Sequence, residues 1–345
     1  MASIDVFSDN AFGLVELTAA LEEVEYLPQW LGSIGLFESR SVRTETIAIE
    51  KKEQELKLIQ TTPRGAPPVP QNQKRRDIRD FRSSRIFNAD TLYASELQGI
   101  RAFGTESEFA QVQTEVLSRQ IQLRNDQELT HEHMRLGAIQ GIVLDADGST
   151  IYNWFTEWSI AQPAVITFDF AALVDGKFRA RCNDVIRTMV KASKGAFTPA
   201  TQVWALCGDQ FYDALVQAAE VRTSYLNWQG AAELRAQSGS NGIVMPWDVF
   251  NFGGIYWQNY RGTDDGSKVA ISPKECKFFP RNSPGTFLRV NSPGEFFGTV
   301  NSPGQEFYAL TIPDEKRDAF VELELYSYVL YVCTRPRMLL RGTIP

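Results

Sequence analysis

His131 and His133 are the only histidines in the 345-residue chain. With Glu128 and Glu132 they form its densest run of groups that could move a proton or hold a metal. The spacing does not assemble them. Two residues apart on a helix, the histidines face different ways, whereas a shared metal needs an i, i+4 pair. Glu128 and Glu132 do stand at i, i+4, but on so charged a helix they read as solvated carboxylates. Asp145, Asp147 and Gly148 open like a calcium loop, yet Tyr152 and Asn153 take later ligand positions and the bidentate Glu is missing, so a hairpin turn is expected. Cys182, Cys207, Cys276 and Cys333 are far apart in apolar surroundings, as reduced buried thiols are. No P-loop, GxGxxG, GxSxG or HExxH pattern occurs. These residues point to no catalytic centre, no cofactor and no metal.

What chemistry remains is charge. Lys74, Arg75, Arg76, Arg79, Arg82 and Arg85 stand among only Asp77 and Asp80. Such a strip either binds nucleic acid or is charge facing solvent or another subunit, and the second is the commoner case. The whole chain carries a net charge of -7, with a pI near 5.2, which argues against a general polyanion binder. The N-terminus has no basic region followed by an apolar core, and no run of 18 apolar residues occurs, so neither secretion nor membrane insertion is expected.

The elements that position these residues read as follows. Residues 4–31 form a weakly patterned arm, with a short helix possible in FGLVELTAALEEV, and the arm is expected to pack on something else. From residue 41 the pattern turns to period two through Val42, Ile47, Ile49, Leu56 and Leu58, which predicts strand. The segment TTPRGAPPVPQNQ, containing Arg64, Pro67 and Pro68, can be neither helix nor central strand. Alternation then returns through Ile78, Phe81 and Ile86. A long two-stranded arm results, too poor in apolar residues to cover itself, and a neighbouring subunit is the natural cover.

The chain then enters a glycine-free and proline-free run from Thr105 to Leu136. Thr105 with Glu108 makes a capping box, and Gly137 and Gly141 mark the far end. At 1.5 Å per residue this helix spans roughly 45 Å, close to the diameter of about 50 Å expected for a compact chain of this length. Its apolar stripe is thin (Phe109, Val112, Val116 and Leu123), so it is predicted to lie along one side of a flat or elongated body, or to meet a second chain, rather than to run through a core. Beyond it, a strand at 164–170, a helix at 181–194, the strand VWALCG and a helix capped by Asp209 predict an α/β unit. NSPG occurs three times, at Asn282, Asn291 and Asn301, each copy a turn signal. The last strand, through Val321, Leu323, Leu325, Val329 and Tyr331, is longer than the usual five or six residues.

Several stretches resemble one family. ELTHEHMRLGAIQGIVLDADGS, WALCGDQFYDAL, YVCTRPRMLLRG and RDFRSSRIFNADTLYASELQGIRAFG are similar to segments of the major capsid proteins of tailed bacteriophages, in particular the lambda-like capsid protein E family with the Hong Kong 97-type fold. The likeness runs from about Val42 to Gly342. It implies an α+β capsid fold, with an N-terminal arm at 1–40, an extended loop at 41–88, a peripheral domain at 89–178 holding the spine helix at about 105–137, an axial domain at 179–310, and a return strand at 311–345 completing the peripheral domain. It further implies a non-enzymatic building block, made in the host cytoplasm, that self-assembles as hexamers and pentamers into the icosahedral shell of the virion.

The partners implied are other copies of the chain, a scaffolding protein, a portal, packaged double-stranded DNA held without sequence-specific binding, and in some members a decoration protein. About 40 residues precede the loop, which suggests that the scaffold is a separate chain. Candidate contacts between subunits are Arg64, Pro67, Pro68, Arg75, Arg76, Arg79, Arg82 and Arg85. Two alternatives stay open from the residues: an encapsulin-like compartment shell, and a DNA-binding protein using the basic strand 74–85.

Overall fold

The computed structural model describes residues 30–51, 77–99, 108–170, 176–226, 249–260, 269–314, 316–317 and 319–345. The chain enters by a helical turn, Trp30–Ser33, and strand β1, Glu38–Ser41. Strands β2, Thr46–Lys51, and β3, Asp77–Arg82, form an antiparallel ribbon in which Ile47 faces Phe81. The proline-rich tip predicted between them lies outside the described residues. The base of the ribbon does not wait for a neighbour. Ile47, Ile49 and Phe81 are buried, and the Phe81 ring meets Tyr152, Trp154 and Trp158 of the same chain at 5.8, 5.3 and 5.6 Å. The expectation of an uncovered arm is corrected for this part, because aromatic residues about 70 positions away in the sequence supply the cover.

Strand β4, Ser84–Tyr93, and a short helix, Ala94–Gly99, lead to the spine helix α1, Glu108–Gln140. The predicted cap Thr105 lies outside the described residues. The helix runs through Gly137 and stops before Gly141, whose φ of +83° is a left-handed conformation open to glycine. Gly137 is there for space: a Cβ would sit 2.8 Å from the Ile142 carbonyl oxygen and 2.9 Å from the Val143 Cα. Its absence lets the chain fold straight back as the hairpin of β5, Ile142–Leu144, and β6, Thr150–Asn153. The acidic turn closes that hairpin, with the Ser149 amide donating to Asp147 Oδ1 at 2.8 Å.

Strand β7 is only Ile166–Thr167, shorter than predicted. Helix α2, Lys177–Ser193, buries Phe178, Cys182, Val185 and Met189, a single stripe at helical spacing. After β8, Gln202–Cys207, helix α3, Asp209–Gln217, has Gly208 as its cap, so Asp209 is its first residue rather than the cap. Asp209 is positioned by Asn259, whose Nδ2 donates to it at 3.0 Å. A helix at Ala219–Leu226 follows, then β9, Val249–Phe252, β10, Ile255–Asn259, β11, Glu275–Arg281, β12, Phe287–Asn291, β13, Tyr308–Pro313, β14, Phe320–Cys333, and β15, Leu340–Thr343. Of the three NSPG copies, Asn282 and Asn301 take positive φ, whereas Asn291 ends β12.

Two sheets organise the body. The six-stranded sheet has the order β7-β15-β11-β8-β10-β9. Along β8, Val203, Ala205 and Cys207 face a core shared with α2 and α3, while Trp204 and Leu206 face a second core. In the five-stranded sheet β14 is central. β4 pairs along one edge from Phe320 to Val329; β13 and then β12 share the other, and β1 adds parallel to β12. The borders read from the sequence do not follow these sheets. β12 and β13 join the sheet of β14, and β15 crosses into the six-stranded one.

The spine helix divides in two. Val116 and Leu123 pack on Leu92, Leu323 and Leu325 of the five-stranded sheet, with most polar residues outward, as predicted for a helix lying along one side, although Gln120 is buried between them. From Gln127 to Gly141 most positions are buried. There, Leu136 and Ile139 share a core with Trp204, Phe279 and Tyr331, which joins the two sheets. The prediction that so polar a helix avoids a core fails for this half, because its polar groups find partners inside.

Candidate functional site

Those partners make the most concentrated buried polar chemistry among the described residues. Glu128 and Glu132 are 4% and 0% exposed, not solvated, and His131 and Arg135 are 0% and 4% exposed. Arg135 lies between the two carboxylates, donating to Glu128 Oε2 and Glu132 Oε2, each at 3.3 Å. Glu132 also accepts from the Leu31 amide at 2.8 Å, the Gly32 amide at 3.2 Å and the Tyr260 hydroxyl at 2.9 Å. One side chain thereby holds the entering segment, the spine and a residue beside the six-stranded sheet. His131 Nδ1 and the Tyr331 hydroxyl share a hydrogen bond of 2.7 Å, which adds strand β14 to the cluster.

Burial sets the charges. It raises the Glu128 carboxyl against the opposing pull of Arg135, and it drives His131 well below the usual imidazole range, helped by Arg135 and Arg289. The Tyr331 hydroxyl is pushed up to about 12, again by burial. Such shifts accompany active sites, but they also accompany structural ion pairs. Here the groups are sealed from solvent, and the carboxylates and the arginine are engaged within the fold, while His131 Nε2 is buried without a hydrogen-bond partner. Among the described residues, no group of three or more His, Cys, Asp or Glu is placed to hold a metal. The cluster is a clamp. The signal for it was present in the sequence: Glu128, Glu132 and Arg135 have the i, i+4 and i+3, i+7 spacing of one helix face.

Of the basic strip, the structure describes Arg79, Arg82 and Arg85. Arg64, Pro67, Pro68, Arg75 and Arg76 lie outside the described residues. Arg79 and Arg82 belong to the ribbon, where the Arg79 guanidinium reaches Ser159 Oγ at 3.5 Å. The backbone of Arg82 donates to and accepts from the Tyr152 hydroxyl at 3.1 and 2.9 Å. Arg85 belongs to the five-stranded sheet, on its face away from the spine. Its guanidinium lies over the Phe87 and Tyr326 rings at 5.3 and 5.1 Å and within 3.7 Å of Glu295.

That outer face is aromatic. Phe87 and Tyr326 are cross-strand partners with centroids 4.8 Å apart, and Phe296 stands edge-on to Tyr326 at 5.1 Å. Phe87 is 46% exposed and Tyr93, on the same side of β4, 49%, and exposed apolar patches are a feature of interaction surfaces. The sequence shows the aromatics, but not that β4 and β14 place them side by side.

Comparison with known proteins bears on these surfaces. The family model described as phage major capsid protein E matches residues 13–344. The chain is 21% identical over 360 residues to the major capsid protein of Salmonella phage Felix O1, covering 96% of this chain and 95% of that one. It is 22% identical over 349 residues to the major capsid protein of Pseudomonas phage KPP10, covering 96% and 97%. The fold is similar to a crystal structure assigned to the capsid protein of a prophage of E. coli CFT073, with a TM-score of 0.58, 13% identity and coverage of 96% and 99%. It is also similar to the capsid structure of cyanophage P-SCSP1u, with a TM-score of 0.52, 8% identity and coverage of 93% and 90%.

Proposed function

The chain belongs to the phage major capsid protein E family, and from that premise we propose that its copies tile a phage head as hexamers and pentamers closing into an icosahedral shell. The family is a structural one: the chain is a major capsid protein with the Hong Kong 97-type fold, its place is the virion capsid, and it works by assembling into an oligomeric shell. The family match favours neither the compartment-shell nor the DNA-binding reading. The observation that carries the proposal is the reach of that match, from residue 13 to residue 344, which takes in arm, ribbon, spine and both sheets.

The finer reading is as follows. Residues 1–40 act as an arm, 41–88 as an extended loop that reaches an adjacent subunit with the part beyond its self-covered base, 89–178 with 311–345 as the peripheral part, and 179–310 as the axial part around the symmetry centres. Arg64, Pro67, Pro68, Arg75, Arg76, Arg79, Arg82 and Arg85 contact the neighbouring copy. Support comes from the aromatic face around Arg85, Phe87 and Tyr93, partly exposed in the single chain. Individually weak contacts suffice, because a subunit with several neighbours gains by multivalency. A scaffolding protein, a portal and, on the outside, a decoration protein complete the set, and duplex DNA is enclosed without sequence-specific contact.

Deleting Thr62–Asn72 tests the loop assignment. The expected product is a folded subunit that forms no closed shells under the electron microscope, and closed particles of normal size would contradict it.

A further inference from the structure

Strand β4 pairs with β14 on one side, and its other side is an edge of the five-stranded sheet. The Ala94 amide donates to the Ala319 carbonyl at 3.0 Å, the next rung of that ladder. Rungs alternate in an antiparallel pair, so the even-numbered residues of β4 bond to β14 and the odd-numbered ones turn their N–H and C=O groups to the edge. One end of the edge is closed. The Thr91 amide donates to Asp90 Oδ1 at 2.8 Å, and Arg119 of the spine donates to the Thr91 carbonyl and to Asp90 Oδ2, each at 3.1 Å. Arg85, Phe87 and Ala89 have no such cover: among the described residues their outward backbone groups meet no partner.

An open strand edge is a template for another strand. This one is complementary to itself. Phe87 is the middle of the open run. Two copies of β4 laid antiparallel across a two-fold axis at Phe87 set Phe87 opposite Phe87 and Arg85 opposite Ala89, so each outward N–H of the run faces an outward C=O. The side-chain plug at Thr91 ends the pairing on both sides.

The side chains agree with that register. Phe87 is half-exposed and lies on Tyr326 with centroids 4.8 Å apart. Pairing continues this contact to the ring of the second Phe87 and takes both rings out of water. Arg85 is exposed in the single chain, 3.7 Å from Glu295. Ala89 stands opposite Glu324 of β14. In the joined sheet Arg85 of the second copy comes next in that row, with its Cα about 10 Å from that of Glu324. Two long side chains span such a gap over the short Ala89, so Glu324 gains a cation from the other copy.

We propose that β4 pairs with β4 of a second copy, antiparallel across a two-fold axis at Phe87, which joins two five-stranded sheets into one. The proposal rests on the shell reading above and names the contact that the aromatic face makes there. An isologous contact closes on two copies, whereas the contacts around a hexamer or pentamer are head to tail. The β4 pair therefore belongs between capsomers, not within them.

Particles assembled from the full-length chain and its scaffolding protein test it. The four native cysteines are buried, so Phe87→Cys reports alone. The register sets its two Cα atoms about 5.5 Å apart, inside the range of about 4.4–6.8 Å that a disulfide bridges. Diamide oxidation should give covalent dimers on a non-reducing gel, and Tyr93→Cys, on the same side of β4 but outside the paired run, about tenfold fewer. Ala89→Pro removes an outward N–H and no bond to β14, so it should leave the melting curve in place and abolish closed particles. Particles from the unmodified chain, with no dimer from Phe87→Cys particles or as much from Tyr93→Cys, overturn the pairing and leave the shell reading standing. Normal particles from Ala89→Pro overturn it too, and this arm decides alone where Phe87→Cys does not assemble. No particles from the unmodified chain overturns the shell reading and the pairing with it.

Discussion

At the scale of single residues, the account turns on Glu132. Its carboxylate accepts hydrogen bonds from two backbone amides, a tyrosine and an arginine. Removing it leaves Arg135 and those donors buried with fewer partners. Glu132→Ala should therefore lower the unfolding free energy by about 3–5 kcal/mol, read from a denaturant midpoint. His131 gives a pH signature. Its folded-state pKa lies well below the ordinary 6.5, so the unfolded chain takes up a proton that the folded chain refuses. Its contribution to stability is full above that ordinary value and is lost as pH falls below it, at up to about 1.4 kcal/mol per unit. Burial raises Glu128 instead, so its contribution has the opposite slope, which makes a paired comparison the clean measurement. His131→Gln should flatten the loss of stability between about pH 6.5 and 5 relative to the unmodified chain; identical slopes would contradict a buried neutral imidazole. These residues were visible in the sequence as helix neighbours. Their burial was not, because it depends on Tyr260, Tyr331 and Leu31, far away along the chain.

At the scale of elements, the spine helix is two objects joined end to end. Its first half is held by a narrow apolar line, and Val116 and Leu123 are 1% and 6% exposed. Val116→Asp with Leu123→Asp places two charges against Leu323 and Leu325 and should abolish cooperative folding, whereas an unchanged melting curve would show that this face is not buried. Periodicity sufficed for the helix, the ribbon, the acidic hairpin turn and the long last strand, because each buries residues at its own repeat. It failed where a repeat says nothing of the partner. The ribbon base is covered by Tyr152, Trp154 and Trp158 of its own chain, and Gly137 marks a close crossing with β5 rather than an end.

At the scale of the molecule, two sheets share the spine helix and a core, and a face of the five-stranded sheet remains aromatic and partly exposed. A capsid subunit needs both: a body stiff enough to tile and surfaces left unsatisfied until copies meet. The family was legible in the sequence through long, specific segments around the helix end and the last strand. The aromatic face was not, because the alternation of β4 and β14 does not say which strands will be neighbours. Electron microscopy of the purified full-length chain, mixed with the scaffolding protein of its phage, tests the central claim most directly. The account predicts closed shells whose subunit density takes this fold. A solitary, monodisperse monomer in every condition, unable to co-assemble, would contradict it.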